Sequence, residues 1–168
     1  MNSTIIRNWN ERVKDEDVVI HNGDFCFRNS PKAIHRGEGD LYPALFYEKQ
    51  LNGKIIYIKA HHDSNNSCKT CIRNMKIKLG GKLINIVHDP QYVSYNVDIN
   101  LVGHIHNLWK IKRFYKGKKF VDAINIGQDV WNFMPITIEE ILKEYHRWLK
   151  EFKSYHEKKE IKNEIRTP

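Results

Sequence analysis

Cysteine is scarce in this chain of 168 residues: Cys26, Cys68 and Cys71 are the full set. An odd number with no regular framework argues against a secreted disulfide scaffold. "CKTC" has a spacing shared by zinc knuckles and redox pairs. A tetrahedral structural zinc site needs four ligands, however, and no second pair completes it. The stretch reads as a loop with incidental thiols. Long apolar runs are also missing, and none approaches the roughly 20 residues that span a bilayer. The opening "MNSTIIRNWNERV" lacks the charged-then-apolar layout of a signal peptide. A cytoplasmic location without membrane contact is the expectation. Acidic residues are the minority, 20 against 28 Lys and Arg, which leaves a net charge of +8. Such a balance favours polyanionic partners and says little about fold.

What remains is an ordinary globular composition, 40% hydrophobic and 29% charged. A chain this long can bury about 70% of its unfolded surface in one domain. The expected layout is one domain over residues 1–152 and a charged tail or helix extension over 153–168. Residues 3 to 13 carry Ile5, Ile6, Trp9 and Val13 at helical spacing behind a Ser3/Thr4 cap. "DVVIH" and "KIIYIK" are short β-branched runs, which reads as buried strands. Between them, 28–40 is loop-like and 41–51 is a helix with Pro43 in its first turn. "MKIKL" and "KLINIVH" flank "GG" as a hairpin, and "LWKIKRFY" and "KFVDAINIG" flank "KGK" as a second. "VDINLVGH" is a further strand. Residues 137–152 form a capped amphipathic helix with Ile138, Ile141, Leu142, Tyr145, Leu149 and Phe152 on one face. The fold class is therefore mixed α/β, with stacked sheets flanked by helices.

Four of the apolar strands end on residues that bind metals or move protons. "VVIHNGD" delivers Asp24, "IIYIKAHHD" delivers His61, His62 and Asp63, "INIVHD" delivers His88, and "INLVGHIH" delivers His104 and His106. Loops beyond the carboxyl ends of strands form the usual crevice of such sheets. A single histidine after a strand is most often a satisfied or solvated one. Here five of the nine histidines fall at strand ends, which favours a metal centre. His21, His35, His146 and His156 lack this setting and read as structural or solvated.

The order of these motifs resembles the calcineurin-like metallophosphoesterase family. That family carries Asp-any-His, Gly-Asp, Gly-Asn-His-Asp, a lone His and Gly-His-any-His. This chain shows Gly23-Asp24, Ala60-His61-His62-Asp63, His88 and Gly103-His104-Ile105-His106. Residues 121–141 are similar to the tail of its small bacterial and phage branch. The resemblance implies an αββα sandwich of metallophosphoesterase type. It also implies roles: Asp24 bridging two metals, His61, His88 and His104 completing one of them, and His106 binding the other. His62, oriented by Asp63, would protonate the leaving oxygen after attack by metal-bound hydroxide. One or two divalent ions, Mn, Fe or Zn, would be the cofactors.

Two departures from the family pattern stand out. Asp-any-His is absent, and the chain opens on its first helix, so the first strand is expected to be missing. A shortened product, a one-metal enzyme and a protein that has lost catalysis all fit that absence. His61 replaces the asparagine of Gly-Asn-His-Asp, and three histidines with one aspartate suit Zn, Fe or Mn better than Mg.

Beyond "GHIH", Lys110, Lys112 and Arg113 lead a basic stretch interleaved with Trp109, Phe114 and Tyr115. Such a stretch can track phosphates and stack bases, or simply be a solvated hairpin. The expected substrate is a phosphorylated small molecule or a nucleic acid. The competing expectation is a catalytically impaired one-metal protein that binds nucleic acid or is structural. A homodimer paired through an exposed sheet edge is a further expectation.

Overall fold

The computed structural model describes residues 2–26, 42–65 and 72–164, with the side chains of 64–65 and 156–164 set aside. The loop at 28–40, with His35, and the Cys68/Cys71 stretch lie outside the described residues, as does the His156 side chain. The chain divides into two compact units, Met1–Pro135 and Ile136–Pro168.

The first unit opens with α1 (Asn2–Arg12) and β1 (Val18–His21), then α2 (Ala44–Glu48) and β2 (Lys54–Tyr57). β1 and β2 pair in parallel, Val18 opposite Lys54 through His21 opposite Tyr57, as a two-stranded sheet. β3 (Asn74–Leu79), β4 (Lys82–Val87), β5 (Ile99–Val102), β6 (Ile111–Lys116) and β7 (Lys119–Asn125) make a second sheet in the order β3-β4-β5-β7-β6. Both expected hairpins are present, β3–β4 turning at Gly80-Gly81 and β6–β7 at Gly117. All these glycines have positive φ, the conformation such tight turns require.

β4, β5 and β7 run parallel at the centre of the larger sheet. Their sequences explain that position. All four residues of β5 are buried, and so are the last four of β4 and the last five of β7. Ile84, Ile99, Val102 and Ile124 have no exposed surface, and a fully buried side chain of this size is worth about 1.5–3 kcal/mol. Buried polar residues here are satisfied. The Asn100 amide accepts from Asn85 Nδ2 at 2.9 Å and from the Ser94 backbone N–H at 2.8 Å.

Two local differences from the sequence reading have simple causes. α1 begins at Asn2, so Ser3 and Thr4 fall inside its first turn instead of capping it. Its anchors are the buried Trp9, whose Nε1 donates to the Asn52 carbonyl at 2.9 Å, and Val13 just beyond its end. α2 starts later than the pattern suggested, because Pro43 sits at its N-cap with extended ψ. In the second unit, α3 (Ile138–Glu164) runs past residue 152 as one helix. It starts on a capping box in which the Thr137 N–H donates to Glu140 Oε2 and the Glu140 N–H donates to Thr137 Oγ1. Among the described residues, no helix is long and apolar enough to cross a membrane.

Candidate metal centre

The parallel pairs β1–β2 and β4–β5 deliver ligand-type residues from their carboxyl ends. Beyond β1 and β2 come Asp24 and His61–Asp63, and beyond β4 and β5 come His88 and His104. Asn22 joins the two sheets. Its Nδ2 donates to the Val87 carbonyl at 3.2 Å, and its own carbonyl accepts from His88 Nδ1 at 2.7 Å. The Gly103 N–H donates to the His88 carbonyl at 2.9 Å, which brings the β5 loop alongside.

Gly23 makes the close approach possible. At φ +85° it adopts a turn disfavoured for other residues, and a Cβ there would lie 2.5 Å from Ala60 Cβ and 2.7 Å from His88 Nδ1. Asp24, His104 and His106 are not glycines, yet their φ values are 54°, 69° and 48°. Left-handed backbone at such residues costs about 1–3 kcal/mol each and concentrates at functional sites.

His61, His88 and His104 converge. Each offers a ring nitrogen within 4.8 Å of the others, and their ring centroids are 5.2–6.1 Å apart. Asp24 joins them through Oδ2, 3.1 Å from His88 Nε2. Its Oδ1 accepts the His62 backbone N–H at 3.3 Å. Asp63, buried, accepts the N–H of Ala60 at 2.8 Å and of Asp24 at 3.2 Å on one oxygen. The Asp63 carboxylate thus ties the β1 and β2 loops together. His62 is exposed beside them.

His88 carries the chemistry of the site. A carbonyl accepts its Nδ1 proton, which leaves Nε2 as the coordinating nitrogen, and Nε2 is sealed from solvent without an in-line hydrogen bond. An imidazole held by a carbonyl at one nitrogen and presenting the other is the usual arrangement of a metal-binding histidine. Without a cation, burial opposes protonation of His88, but the Asp24 carboxylate and the Asn22 carbonyl outweigh it and raise the pKa. Burial likewise opposes ionisation of Asp24, and His88 and the His62 N–H outweigh it, so its pKa is lowered. Each partner thus favours the charged form of the other.

His106 lies outside this group. Its Nδ1 meets Asp129 Oδ2 at 3.1 Å, with both side chains exposed to solvent. Asn125, buried at the end of β7, pins that loop by donating from Nδ2 to the carbonyls of His106 and Trp109. Of the residues expected to meet substrate, Arg113 is paired with Asp122 on the neighbouring strand, at 2.7 and 2.8 Å. Lys110 lies 3.9 Å over the Trp131 ring, and Lys112 lies 5.4 Å over Phe114. Asn22, Asn125 and Asp129 were not singled out from sequence. Asparagines at strand ends were the signal available for the first two.

His21 packs against Phe25 and Tyr57, with Nδ1 buried and unbonded. Burial lowers its pKa from 6.5 to about 4, against the pull of Asp63 and Asp24 and with a further push from His88. A depressed histidine pKa means that the unfolded chain takes up the proton first, so stability falls as pH drops through this window. About 3 kcal/mol is expected to be lost between pH 6.5 and 4 through this group. Denaturant titrations of wild type and His21→Phe across that range test it. The difference between them should grow as pH falls, and parallel curves would refute it.

Fold and site together define a mixed α/β protein with two sheets flanked by helices and a three-histidine cluster able to hold a metal ion. No family model matches the chain. It is 28% identical over 147 residues to the uncharacterized protein MJ1445 of Methanocaldococcus jannaschii, covering 85% of this chain and 74% of that one. The solved structure of AQ665, a protein of unknown function from Aquifex aeolicus, is similar at a TM-score of 0.57 and 20% identity. That likeness covers 84% of this chain and 83% of AQ665, and it shows the fold. A single-mutant Vps29 of Entamoeba histolytica matches at a TM-score of 0.39 and 16% identity, over 73% of this chain and 62% of that one.

Proposed function

We propose that the chain is a calcineurin-like metallophosphoesterase that hydrolyses a phosphodiester or phosphomonoester, with His61, His88, His104 and Asp24 holding a Zn, Fe or Mn ion. The observation that carries this is the convergence of the buried His88 Nε2, the Asp24 carboxylate 3.1 Å from it and two further imidazoles. Nitrogen donors of this number suit those ions over Mg. A bound ion would supply positive charge against the phosphoryl oxygens and make water acidic near neutral pH.

The chain's own residues supply the rest. Asp24 opposes the cationic charge and, by accepting the His62 N–H, fixes the backbone that presents the His62 ring. Asp63 acts on His62 through the turn it ties down. His62, exposed to solvent, is the group we assign to hold a proton and pass it to the leaving oxygen. His106 with Asp129, and Lys110 beside Trp131, are the groups we assign to the substrate's remaining charge. Phosphorylated small molecules and nucleic acids both fit.

Turnover of bis-p-nitrophenyl phosphate with Mn added tests the proposal. His62→Ala should slow it by about 100-fold or more, the scale of general-acid loss. Absence of turnover with any metal would reject hydrolysis. In that event the exposed Tyr115 and Phe120, next to Lys116 and Lys119 on the β6–β7 hairpin, favour salt-sensitive nucleic-acid binding.

A further inference from the structure

His61 stands where the family pattern has asparagine, and Asp89 faces it. Asp89 Oδ2 lies 4.0 Å from His61 Nε2, on a side chain only 14% exposed. It directly follows His88 and is itself fixed. Oδ1 accepts the Gln91 backbone N–H at 2.9 Å, and Oδ2 accepts Gln91 Nε2 at 2.7 Å. The first contact caps the short turn Pro90–Tyr92. Asparagine would cap such a turn as well as aspartate does, so the cap accounts for one oxygen only. The second oxygen brings negative charge toward a ring nitrogen of one of the three clustered histidines.

We propose that Asp89 is a positioning residue, whose charge keeps the His61 proton on Nε2 and so commits Nδ1 to the ion that His88 meets through Nε2. This rests on reading the three histidines as a metal site. Two imidazoles would then reach one ion through different nitrogens. A backbone carbonyl accepts from one of them at 2.7 Å, and a carboxylate oxygen lies 4.0 Å from the other. Asp89 would be the feature that turns the histidine at position 61 into a working ligand, and with it the preference for Zn²⁺ over Mg²⁺.

The test uses the full chain with ¹⁵N-labelled histidine, loaded with Zn²⁺. Long-range proton–nitrogen correlation spectra report which ring nitrogen is metallated. His61 is expected to bind through Nδ1 with its proton on Nε2. Asp89→Asn keeps the cap oxygen and removes the charge, and the Gln91 amide can turn to suit. Zn²⁺ affinity should fall about 10-fold, the lower end for loss of a ligand's supporting partner. The thermal stability of the metal-free protein should not move. In a His61→Ala background the same change should have no further effect. Metallation of His61 at Nε2, or an equal loss with and without His61, overturns the assignment. A wild type that binds Zn²⁺ with an affinity Asp89→Asn leaves unchanged overturns this inference alone, and one that binds no Zn²⁺ overturns the metal site with it.

Discussion

His88→Ala is expected to lower Zn²⁺ affinity at least about 1000-fold and to abolish metal-dependent turnover while the chain stays folded. Loss of an outer partner costs 10–100-fold, and His88 is a ligand in its own right, so its removal should cost more. The ring is the most deeply buried of the three, and the Asn22 carbonyl holds its Nδ1. It is also the ring that touches Asp24. His61 is half exposed, and His61→Ala should cost less. Competition with a chromophoric chelator measures the affinities, and far-ultraviolet circular dichroism checks the fold. A loss under about 10-fold for His88→Ala would move the ion elsewhere.

The second large effect is structural. Asp122→Ala should destabilise the protein by about 3–5 kcal/mol, the cost of breaking a buried ion pair by removing one partner. The Asp122 side chain is 1% exposed, and Arg113, at 15%, reaches it with both Nε and a terminal nitrogen. The two face each other across the β6–β7 ladder, and the guanidinium also stacks 4.2 Å from the Phe120 ring. Removing the carboxylate leaves the guanidinium's charge without its bidentate acceptor in a poorly hydrated place. Replacing both partners, as in Arg113→Met with Asp122→Leu, should recover most of the loss, because paired apolar side chains need no desolvation. Urea unfolding distinguishes the cases. A change below about 1 kcal/mol for Asp122→Ala would place the pair in solvent.

Much of this molecule was legible in its sequence because its strands are short, apolar and bounded by turn residues. "GG" and "KGK" located both hairpins, and the four-residue runs before Asp24, His61, His88 and His104 are strands or lead directly from them. The convergence of His61, His88 and His104 followed from the rule that strand ends share a crevice. What escaped were contacts made across long sequence separations. Nothing local to "HNGD" says that the Asn22 carbonyl will hold a ring 66 residues away. Nothing in "KIKRFY" says that Arg113 will pair with Asp122 instead of facing solvent; only the β6–β7 register puts them opposite. His106 reads like His104 in "GHIH", yet its left-handed backbone accompanies a ring turned to Asp129. His21 showed the same blindness, since one position in a strand does not reveal which face will be sealed.

Metal content per chain probes the central claim most directly. Wild-type protein equilibrated with Zn²⁺ and freed of excess should carry about one equivalent by elemental analysis, and a chain with His61, His88 and His104 all changed to alanine should carry none. A wild type without retained metal, or a triple variant that holds as much, would contradict it.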